Sequence, residues 1–459
     1  MSDKFNTLPL KRELLTNLDD LGFTQMTPIQ QESLPVVLEG KDIIARAKTG
    51  SGKTAAFGLG LLNSLTSDHR DPQSLVLCPT RELAEQVAKE LRTLARSLAN
   101  TKIVTICGGT AEFHQDQSLS HGADIVVGTP GRVLKLLKKK TLKLDKVRKF
   151  VLDEADRMLD MGFNKELMEI ERGLTKNRQT LLFSATFPFS IKDLSKYIQK
   201  DPVSVSVDTE LSDNVIKETF YQLESHKDKN DALLKILGKY KPERFIIFCK
   251  TKQITDSVVK LLGKHEIIAA GIHGDIEQNE RTAVLTMFKN RSLSGLVATD
   301  VASRGIDIKE LEAVLNYDLP IDSEDYVHRI GRTGRAGLTG LAFSLCVEQE
   351  EHKLDSIKEH TKKEIKPVIF NDSDFDGDYD LKPVMDTMYI SGGKKNKLRP
   401  GDIVGALIGE AGLESAEIGD ISITNIVSFV AIRKDKIEHA IKSLTDGKIK
   451  NKKFRVGLA

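Results

Sequence analysis

The chain repeats one pattern along most of its length: a short apolar run, a turn, and then a helix-like segment. In the first half the runs are DIIARA, SLVLCP, KIVTICGG, DIVVGTP, KFVLDEA and TLLFSAT. Beyond about residue 215 they are RFIIFCKT, IIAAGIHG, GLVATD, AVLNYDLP and LAFSLCV. Near-continuous apolar strands that alternate with helices indicate parallel sheets covered by helices on both faces. We therefore predict an α/β fold with two such sheet domains in tandem.

The length of 459 residues leaves room for a third domain. We predict the first sheet domain over residues 1–207 and the second over 216–368, followed by an acidic linker over 369–384. Residues 385–459 read strand, helix, two strands, helix, strand. This order is typical of a small ferredoxin-like α+β domain of the RNA-recognition type.

The composition excludes several classes of protein. The net charge is only +2, with 29% charged and 40% hydrophobic residues, and no run approaches the ~18 apolar residues of a membrane span. The N-terminus has no apolar stretch suited to a secretion signal. Cys78, Cys107, Cys249 and Cys346 are far apart, without the paired spacing of a metal site. We expect reduced core cysteines in a cytoplasmic protein.

The linker stretch NDSDFDGDYDLKP has two readings. Asp372, Asp374 and Asp376 alternate and a glycine follows, as at the start of a calcium loop. A calcium loop needs a bidentate glutamate at its twelfth position, where this chain has Pro383. We therefore favour an extended, self-repelling linker between two folded parts of the chain.

A phosphate-binding loop is predicted at AKTGSGKT, Ala47–Thr54, between an apolar strand and an apolar helix. Glycines let backbone N–H groups approach phosphates, and the helix N-terminus presents its positive end. Lys53 would reach the β- and γ-phosphates and Thr54 would bind Mg²⁺. Ala47 stands where the strict pattern has glycine, and a lone glycine-rich turn is the alternative reading.

Two further patterns support phosphate chemistry. KFVLDEAD places Asp153 and Glu154 at the end of a strand, where one acid could hold the Mg²⁺ shell through water and the other could orient an attacking water. HRIGRTGRAG places Arg332 and Arg335 three residues apart, which suits arginine fingers on a γ-phosphate. Taken alone, these would be a cluster of acids at a helix start and a solvated basic face.

These motifs together resemble those of the DEAD-box RNA helicases over roughly residues 5–347, with the tetrapeptide Asp-Glu-Ala-Asp at 153–156. The resemblance implies two RecA-like domains, RNA-stimulated ATP hydrolysis and unwinding of short RNA duplexes. It also implies that ATP and RNA favour the same closed state, so that their binding is coupled. Since FCKTKQITD replaces a nucleotide loop in the second half, we expect one ATP per chain.

The resemblance also assigns roles to individual residues. The implied nucleotide contacts are Phe5, Gln30, Thr49, Gly50, Ser51, Gly52, Lys53, Thr54 and Asp307. The implied RNA contacts of the core are Arg81, Gly109, Thr129, Arg132, Arg281 and Thr299. The residues implied to couple the ATP state to RNA are Ser184, Thr186 and His328.

The predicted third domain carries two basic stretches, SGGKKNKLRP and KIKNKKFR. Tyr389 and Phe429 stand where an RNA-recognition module has stacking aromatics, but Val427 and Ile432 replace other expected rings. We therefore expect the basic loops to contribute more to RNA binding than base stacking does. A stabilising appendage with solvated loops is the alternative. The candidate basic residues of the first stretch are Lys394, Lys395, Lys397 and Arg399.

The sequence GGKKNKLRPGDIVGAL followed by IGDISI resembles the C-terminal domain of the DbpA subfamily of bacterial helicases. That resemblance implies docking on hairpin 92 of 23S ribosomal RNA and a role in late assembly of the large (50S) ribosomal subunit, and we expect a monomer. Two other readings stay open: a general RNA-remodelling helicase with a non-specific tail, and a non-catalytic RNA clamp gated by ATP.

Overall fold

The computed structural model describes residues 3–47, 50–66, 71–109, 111–187, 189–207, 216–303, 311–334, 339–370, 379 and 381–459. Contacts divide the chain into two compact units, the first with the described residues up to 207 and the second with those from 216. Three predicted site residues, Thr49, Asp307 and Arg335, lie outside the described residues, as do all the aspartates of the predicted linker.

The first unit is built on a seven-stranded sheet in which every strand pair is parallel. Its strands are β1 Ile43–Arg46, β2 Ser74–Leu77, β3 Ile103–Ile106, β4 Ile125–Gly128, β5 Lys149–Asp153, β6 Gln179–Ser184 and β7 Val203–Ser206. The order across the sheet is β3-β4-β2-β5-β6-β1-β7.

Nine helices among the described residues accompany this sheet: α1 Arg12–Asp20, α2 Pro28–Leu38, α3 Lys53–Asn63, α4 Arg81–Leu94, α5 Glu112–Ser120, α6 Pro130–Lys138, α7 Ala155–Asp160, α8 Asn164–Arg172 and α9 Phe189–Ile198. In α4, Leu83, Val87 and Leu91 recur at helical spacing and are buried, whereas its other face carries charge. Two apolar clusters, one on each face of the sheet, form the core. The continuous apolar runs of the central strands follow from burial on both faces.

The second unit begins with a sheet of the same kind, again parallel throughout. Its strands are β8 Ile216–Leu223, β9 Phe245–Phe248, β10 Ala269–Ile272, β11 Gly295–Ala298, β12 Ala313–Asn316, β13 Gly340–Val347 and β14 Val368–Ile369, in the order β10-β11-β9-β12-β13-β8-β14. Its helices are α10 Lys229–Tyr240, α11 Lys252–Lys264, α12 Gln278–Lys289, α13 Asp300–Ser303, α14 Ser323–Ile330 and α15 Glu351–Thr361.

The C-terminal part of the second unit is a separate antiparallel sheet in the order β16-β17-β15-β18. Its elements are β15 Met385–Ile390, α16 Pro400–Gly409, β16 Ile418–Ile423, β17 Ser428–Arg433, α17 Ile437–Asp446 and β18 Val456–Leu458. Both helices pack on one face of the sheet, around Met388, Val430 and Ile432. The predicted fold class, two parallel α/β domains and a small α+β domain, is confirmed. We call these three domains the first, second and third domain.

The described residues at both ends of the predicted linker 369–384, and Val368 before it, pack on the second domain. Val368 and Ile369 form β14, which pairs with β8, and Leu381 is buried in the core cluster of this domain. The ring of Tyr379 lies edge-on to that of His265, with centroids 5.0 Å apart. The four cysteines are free and buried. No helix in the described ranges has the length and apolarity to cross a membrane.

Candidate active site and nucleic-acid interface

The strand order of the first sheet separates the predicted ATP residues from the predicted RNA residues. The glycine loop follows β1, Asp153 ends β5 and Ser184 ends β6, and these three strands are neighbours. Arg81 follows β2, Gly109 follows β3, and the segment after β4 contains Thr129 and Arg132; β3, β4 and β2 are also neighbours. Because all strands are parallel, both groups lie at the carboxyl edge, side by side.

The glycine loop leads directly into α3. Gly52 has φ +93°, a left-handed conformation that favours glycine, and Lys53 is the first residue of the helix. A Cβ on Gly52 would lie 2.5 Å from Gln30 Nε2 and 3.0 Å from Thr27 Oγ1. The loop thus combines a required glycine with a helix N-terminus, which is the geometry of a phosphate cradle.

Lys53 and Asp153 face each other in the interior. Lys53 Nζ lies 3.9 Å from Asp153 Oδ1, and both side chains are buried. In the described part of the chain, neither atom has a hydrogen-bond partner. Burial raises the pKa of Asp153 to about 6, although the Lys53 ammonium opposes this. Buried polar groups normally have partners, so this pair is arranged for a ligand that supplies them.

Glu154 is held in an unusual conformation beside Asp153. Its φ of +54° places a non-glycine residue in the left-handed region, which costs free energy. Arg157 Nη1 lies 3.3 Å from Glu154 Oε2, and both side chains are almost fully buried. The sequence did not single out Arg157, but its position three residues after Glu154 on a helix start is the signal that could have found it.

Asp156 joins two of the predicted motifs. Its Oδ2 accepts hydrogen bonds from Ala185 N (3.1 Å), Thr186 N (3.0 Å) and Thr186 Oγ1 (3.0 Å). Ser184 Oγ donates to Thr186 O at 2.7 Å. The segment at the end of β6 is therefore tied to the acidic motif at the end of β5. Asp156 was quoted with its motif but was not predicted to act, and the structure gives it the bridging position.

Gln30 and Phe5 have partners within the first domain. Gln30 Oε1 accepts from Thr27 N at 2.9 Å, and Gln30 Nε2 donates to Gly52 O at 3.1 Å. This links the predicted adenine-reading residue directly to the glycine loop, and the amide keeps donor and acceptor capacity for a base. Phe5 is buried in the core cluster, so stacking on adenine stays a prediction that requires its ring to be uncovered.

The predicted RNA arginines of the first domain are paired with acids. Arg81 Nε donates to Glu85 Oε1 at 2.8 Å, one turn along α4. Arg132 Nη1 lies 3.6 Å from Glu112 Oε2, and Glu112 also pairs with Lys135 and Lys139. Gly109 has φ +74°, and Thr129 is the residue that precedes α6. A phosphate bound at Arg132 would compete with Glu112 for the same guanidinium.

In the second domain, Arg329 fixes the position of two helices. Arg329 Nε and Nη2 each donate to a carboxylate oxygen of Asp300 at 2.6 Å, and its Nη1 donates to Asp318 O at 2.7 Å. Thr299 precedes Asp300, and Arg332 is three residues beyond Arg329. This bidentate pair therefore connects a predicted RNA residue with a predicted arginine finger. Sequence reasoning named neither Asp300 nor Arg329.

The other predicted residues of the second domain lie close to these elements. Arg281, in α12, donates from Nη2 to Ala302 O of α13 at 2.6 Å. His328 is half-buried in the last turn of α14, and Arg332 is buried just beyond that helix.

The two basic stretches of the third domain lie together. Ser391 N donates to Arg455 O at 2.8 Å, and Lys450 Nζ donates to Lys397 O at 2.9 Å. Their cationic side chains are all exposed: Lys394, Lys395, Lys397, Arg399, Lys448, Lys450, Lys452, Lys453 and Arg455. We call this surface the basic end. Clustered exposed cations with few acids between them are the electrostatic footprint of a nucleic-acid-binding protein.

Tyr389 and Phe429 pair across β15 and β17, on the sheet face opposite α16 and α17. The Tyr389 ring lies beside Gly457, where a Cβ would come within 2.7 Å of it. Phe429 is only 8% exposed and so offers no open ring face to a base. Base stacking by these two residues stays a prediction. The arrangement favours the basic end as the main RNA-binding surface, as the sequence suggested.

Comparison with protein families gives three matches. The model for the DEAD/DEAH box helicase matches residues 27–194, that for the helicase conserved C-terminal domain matches 228–337, and that for the DbpA RNA binding domain matches 387–458. Together they cover most of all three domains seen in the structure.

Comparison with individual proteins agrees with these matches. The chain is 46% identical to the ATP-dependent RNA helicase DbpA of Escherichia coli, over 99% of this chain and 98% of that protein. It is 36% identical to the Bacillus subtilis protein of the same name, over 99% of both. The solved structure of Saccharomyces cerevisiae Dbp5 bound to RNA and ADP BeF3 matches with a TM-score of 0.73 and 32% identity, over 80% of this chain and 96% of that one. The chain therefore belongs to the DEAD-box ATP-dependent RNA helicases, in the DbpA subfamily.

Proposed function

We propose that this RNA helicase is targeted by its third domain to hairpin 92 of 23S ribosomal RNA and acts in assembly of the large ribosomal subunit. The observation that carries the proposal is the basic end, which unites both basic stretches in the domain that matches the DbpA RNA binding domain. The subfamily resemblance supplies the identity of the RNA. On this proposal the helicase works in the cytoplasm as a monomer.

We propose that ATP is bound with Mg²⁺ at the carboxyl edge of β1 and β5. Among the described residues there is no group of three metal-ligating side chains. Mg²⁺ is usually held by one or two carboxylates, water and substrate phosphates. Thr54 and Asp153 would hold it, and Asp153 Oδ1 is buried with no hydrogen-bond partner in the described structure. When bound, Mg²⁺ would neutralise charge that develops on the phosphates.

The remaining roles follow from the geometry of this chain. Lys53 would bind the β- and γ-phosphates, since its ammonium is buried beside the cradle. Glu154 would orient the attacking water and accept its proton, and Arg157 would hold the carboxylate in place meanwhile. We assign Arg332 and Arg335 to the γ-phosphate, as the family resemblance implies. Asp156 would pass the state of this site to Ser184 and Thr186, and thereby to RNA.

The targeting proposal is tested by the ATPase rate of the full chain with two RNAs of equal length. One contains hairpin 92 and the other has the same base composition in a scrambled order. We expect stimulation at a much lower concentration of the hairpin RNA. Equal stimulation by both would favour the general remodelling helicase with a non-specific tail and would overturn the targeting.

Matched variants locate the interaction. Lys450→Glu with Lys452→Glu reverses two charges of the basic end, and we expect a large rise in the hairpin concentration needed for half-maximal rate. Lys442→Glu, at an exposed position of α17, is the control and should leave that concentration unchanged.

Glu154→Gln should abolish phosphate release with either RNA while hairpin binding persists. Steady phosphate release by this variant would contradict the role of Glu154.

A further inference from the structure

The first domain carries a strongly basic segment at residues 132–149. It contains nine lysines and arginines and one acid, in a chain whose net charge is only +2, so the rest of the chain is net acidic. Six of these cations are exposed within residues 138–148, which we call the basic loop: Lys138, Lys139, Lys140, Lys143, Lys146 and Arg148. A solvated surface usually mixes both signs of charge, so a field of one sign indicates a charged partner.

The basic loop is fixed by its apolar residues. Leu142, Leu144 and Val147 are each no more than 2% exposed and belong to the core cluster that includes the buried face of α6. Arg148 Nη1 also donates to Thr175 Oγ1 at 3.3 Å. Because buried and exposed residues alternate along the loop, packing of its apolar side chains turns its lysines outward. The cations are thus presented by an ordered backbone, which lowers the entropy lost when a ligand binds.

The basic loop lies at the edge of the first sheet opposite the predicted ATP and RNA residues. Thr129 and Arg132 stand where β4 leads into α6, at the carboxyl edge, whereas the loop leads into β5, which begins at Lys149. The helix α6 runs from one edge to the other, and at 1.5 Å per residue Lys138 is about 9 Å along it from Arg132. The loop is therefore separate from the sites described above.

Neighbouring acids neutralise the start of the loop but not the rest of it. Glu112 pairs with Lys139, and Lys138 Nζ lies 2.6 Å from Glu169 Oε2 of α8. Within the described ranges of the chain, three further ammonium groups have no carboxylate within 4.0 Å: those of Lys140, Lys143 and Lys146. We call these three the loop lysines. Their charges are available to an anionic ligand such as a phosphate group.

We propose that the basic loop is a second RNA-binding surface of the first domain, which contacts the phosphate backbone of double-stranded RNA beside the segment held at the carboxyl edge. RNA is favoured over an acidic protein because a row of cations on α6 joins the loop to Arg132, a predicted RNA contact. Lys135 and Lys139 share a face with Arg132, since all three reach Glu112. Lysines on a backbone read no sequence, so this contact adds affinity alone. The proposal goes beyond the proposed function and does not involve the third domain.

The test is the affinity of the full chain for two RNAs of arbitrary sequence that lack hairpin 92. One is a short single strand, and the other is the same strand continued by a long duplex. The variant Lys140→Gln, Lys143→Gln, Lys146→Gln removes the charges of the loop lysines. We expect its affinity for the duplex-bearing RNA to fall on the order of tenfold at moderate salt, and its affinity for the short strand to stay the same. Equal losses on both RNAs, or no loss on either, would overturn the proposal.

A matched control has the same net charge as this variant. Arg12→Gln, Lys89→Gln and Arg96→Gln change exposed residues on or beside α1 and α4, which pack on the opposite face of the first sheet. This control should bind both RNAs as the unchanged chain does. The same loss in the control would show that only net charge matters, which would refute a local surface. Replacement of the three loop lysines by arginine keeps their charges and should keep the affinity for the duplex-bearing RNA.

Salt dependence shows whether the loop lysines meet phosphates. The slope of log affinity against log salt for the duplex-bearing RNA should become shallower by about 0.9 for each phosphate contact that the glutamine variant loses. An unchanged slope would contradict phosphate binding by the loop.

A second background separates this surface from the basic end. In a chain that also carries Lys450→Glu and Lys452→Glu, the three glutamines should cause the same fold-loss, because a different domain makes those contacts. A loss that disappears in this background would assign the effect to the third domain and overturn the proposal. Failure of hairpin specificity would leave these results standing, so the two proposals fail independently.

Discussion

The first and second sheets place a buried lysine and a strand-end aspartate at equivalent positions. Lys53 begins the helix after β1 and Lys229 begins the helix that follows β8, and these two strands hold the same place in their sheets. Asp153 ends β5 and Asp318 follows β12, which again correspond. The carboxyl edges of the two sheets therefore have the same basic arrangement, one buried lysine and one aspartate.

The contacts at these positions differ. Lys53 Nζ stays 3.9 Å from Asp153 and makes no hydrogen bond in the described structure. Lys229 Nζ donates to Asp318 Oδ1 at 3.0 Å and to Glu350 Oε2 at 2.9 Å, and it is 1% exposed. The first edge keeps its charges available for a ligand, whereas the second satisfies them internally. Binding capacity thus depends on whether the fold leaves a charged group for the ligand to complete.

The largest expected effect comes from replacing Lys229, the lysine that is bonded within the protein. Lys229→Met leaves the buried Asp318 carboxylate without its cation and removes one of the two lysines that pair with Glu350. We expect a loss of about 3–5 kcal/mol in the free energy of unfolding. Lys53→Met breaks no hydrogen bond and should cost on the order of 1 kcal/mol, while it abolishes ATP turnover. Urea unfolding followed with phosphate release measures both. Equal losses of stability would remove the distinction between the two edges.

Asp153→Asn should stabilise the protein at neutral pH. Because burial raises the pKa of Asp153 to about 6, its ionised form destabilises the fold as pH rises through that value. We expect a gain of up to about 3 kcal/mol at pH 7.5 and roughly half of that at pH 5. Thermal unfolding of both proteins across this range measures the gain. A gain that does not change with pH would contradict the assignment to Asp153.

Glu350→Gln should show the opposite dependence on pH. Burial alone would raise the pKa of Glu350, but hydrogen bonds and charges from Lys353 and Lys229 outweigh it and hold the pKa below its ordinary value. The ionised carboxylate therefore stabilises the fold above that ordinary range, and the contribution is lost as pH falls. We expect a cost of about 1–3 kcal/mol at neutral pH that shrinks in acid. The same thermal series measures it, and a constant cost would argue against an ionic role.

The smallest expected effect comes from filling the space beside Gly52, at the carboxyl edge of the first sheet. Gly52→Ala places a Cβ against Gln30 and Thr27 at a left-handed φ, and we expect a cost of about 1–2 kcal/mol with weaker ATP binding. Gly40→Ala is the matched control, since Gly40 has φ +79° and no atom within 4 Å of the added Cβ. It isolates the backbone cost and should leave ATP binding unchanged. Calorimetric titration with ATP measures the difference.

Much of this fold was predictable because the central strands, which are buried on both faces, have continuous apolar runs in their sequences. The strands that the sequence did not reveal are β7, β8 and β14, at or beside a sheet edge. Their faces are only partly buried, as in IKETFYQL of β8, and so polar residues interrupt the apolar pattern. These three strands are recognised by their partners more than by their own residues, whereas the edge strands β3 and β10 lie in apolar runs and were predicted.

The site was predictable where a residue belongs to a motif and not where its role depends on a partner far along the chain. Lys53 and Glu154 could be read from local spacing. The bond from Asn290 to Thr387 spans 97 residues, and the pair Lys229–Asp318 spans 89. Nothing in the local sequence of either residue indicates the other. Such pairs appear only when the topology brings two loops together.

The register of β1 has a consequence for synthesis of the protein. Ile43 pairs with Leu181 of β6 and with Val203 of β7, so the strand that carries the glycine loop has no neighbours until that part of the chain is made. At ribosomal rates of about 5–20 residues per second, the wait is on the order of 10–30 s. During that interval the emerging N-terminal segment lacks a formed nucleotide site. A nascent chain is thus unable to hydrolyse ATP on the ribosome before β6 and β7 have been made and the first sheet is complete.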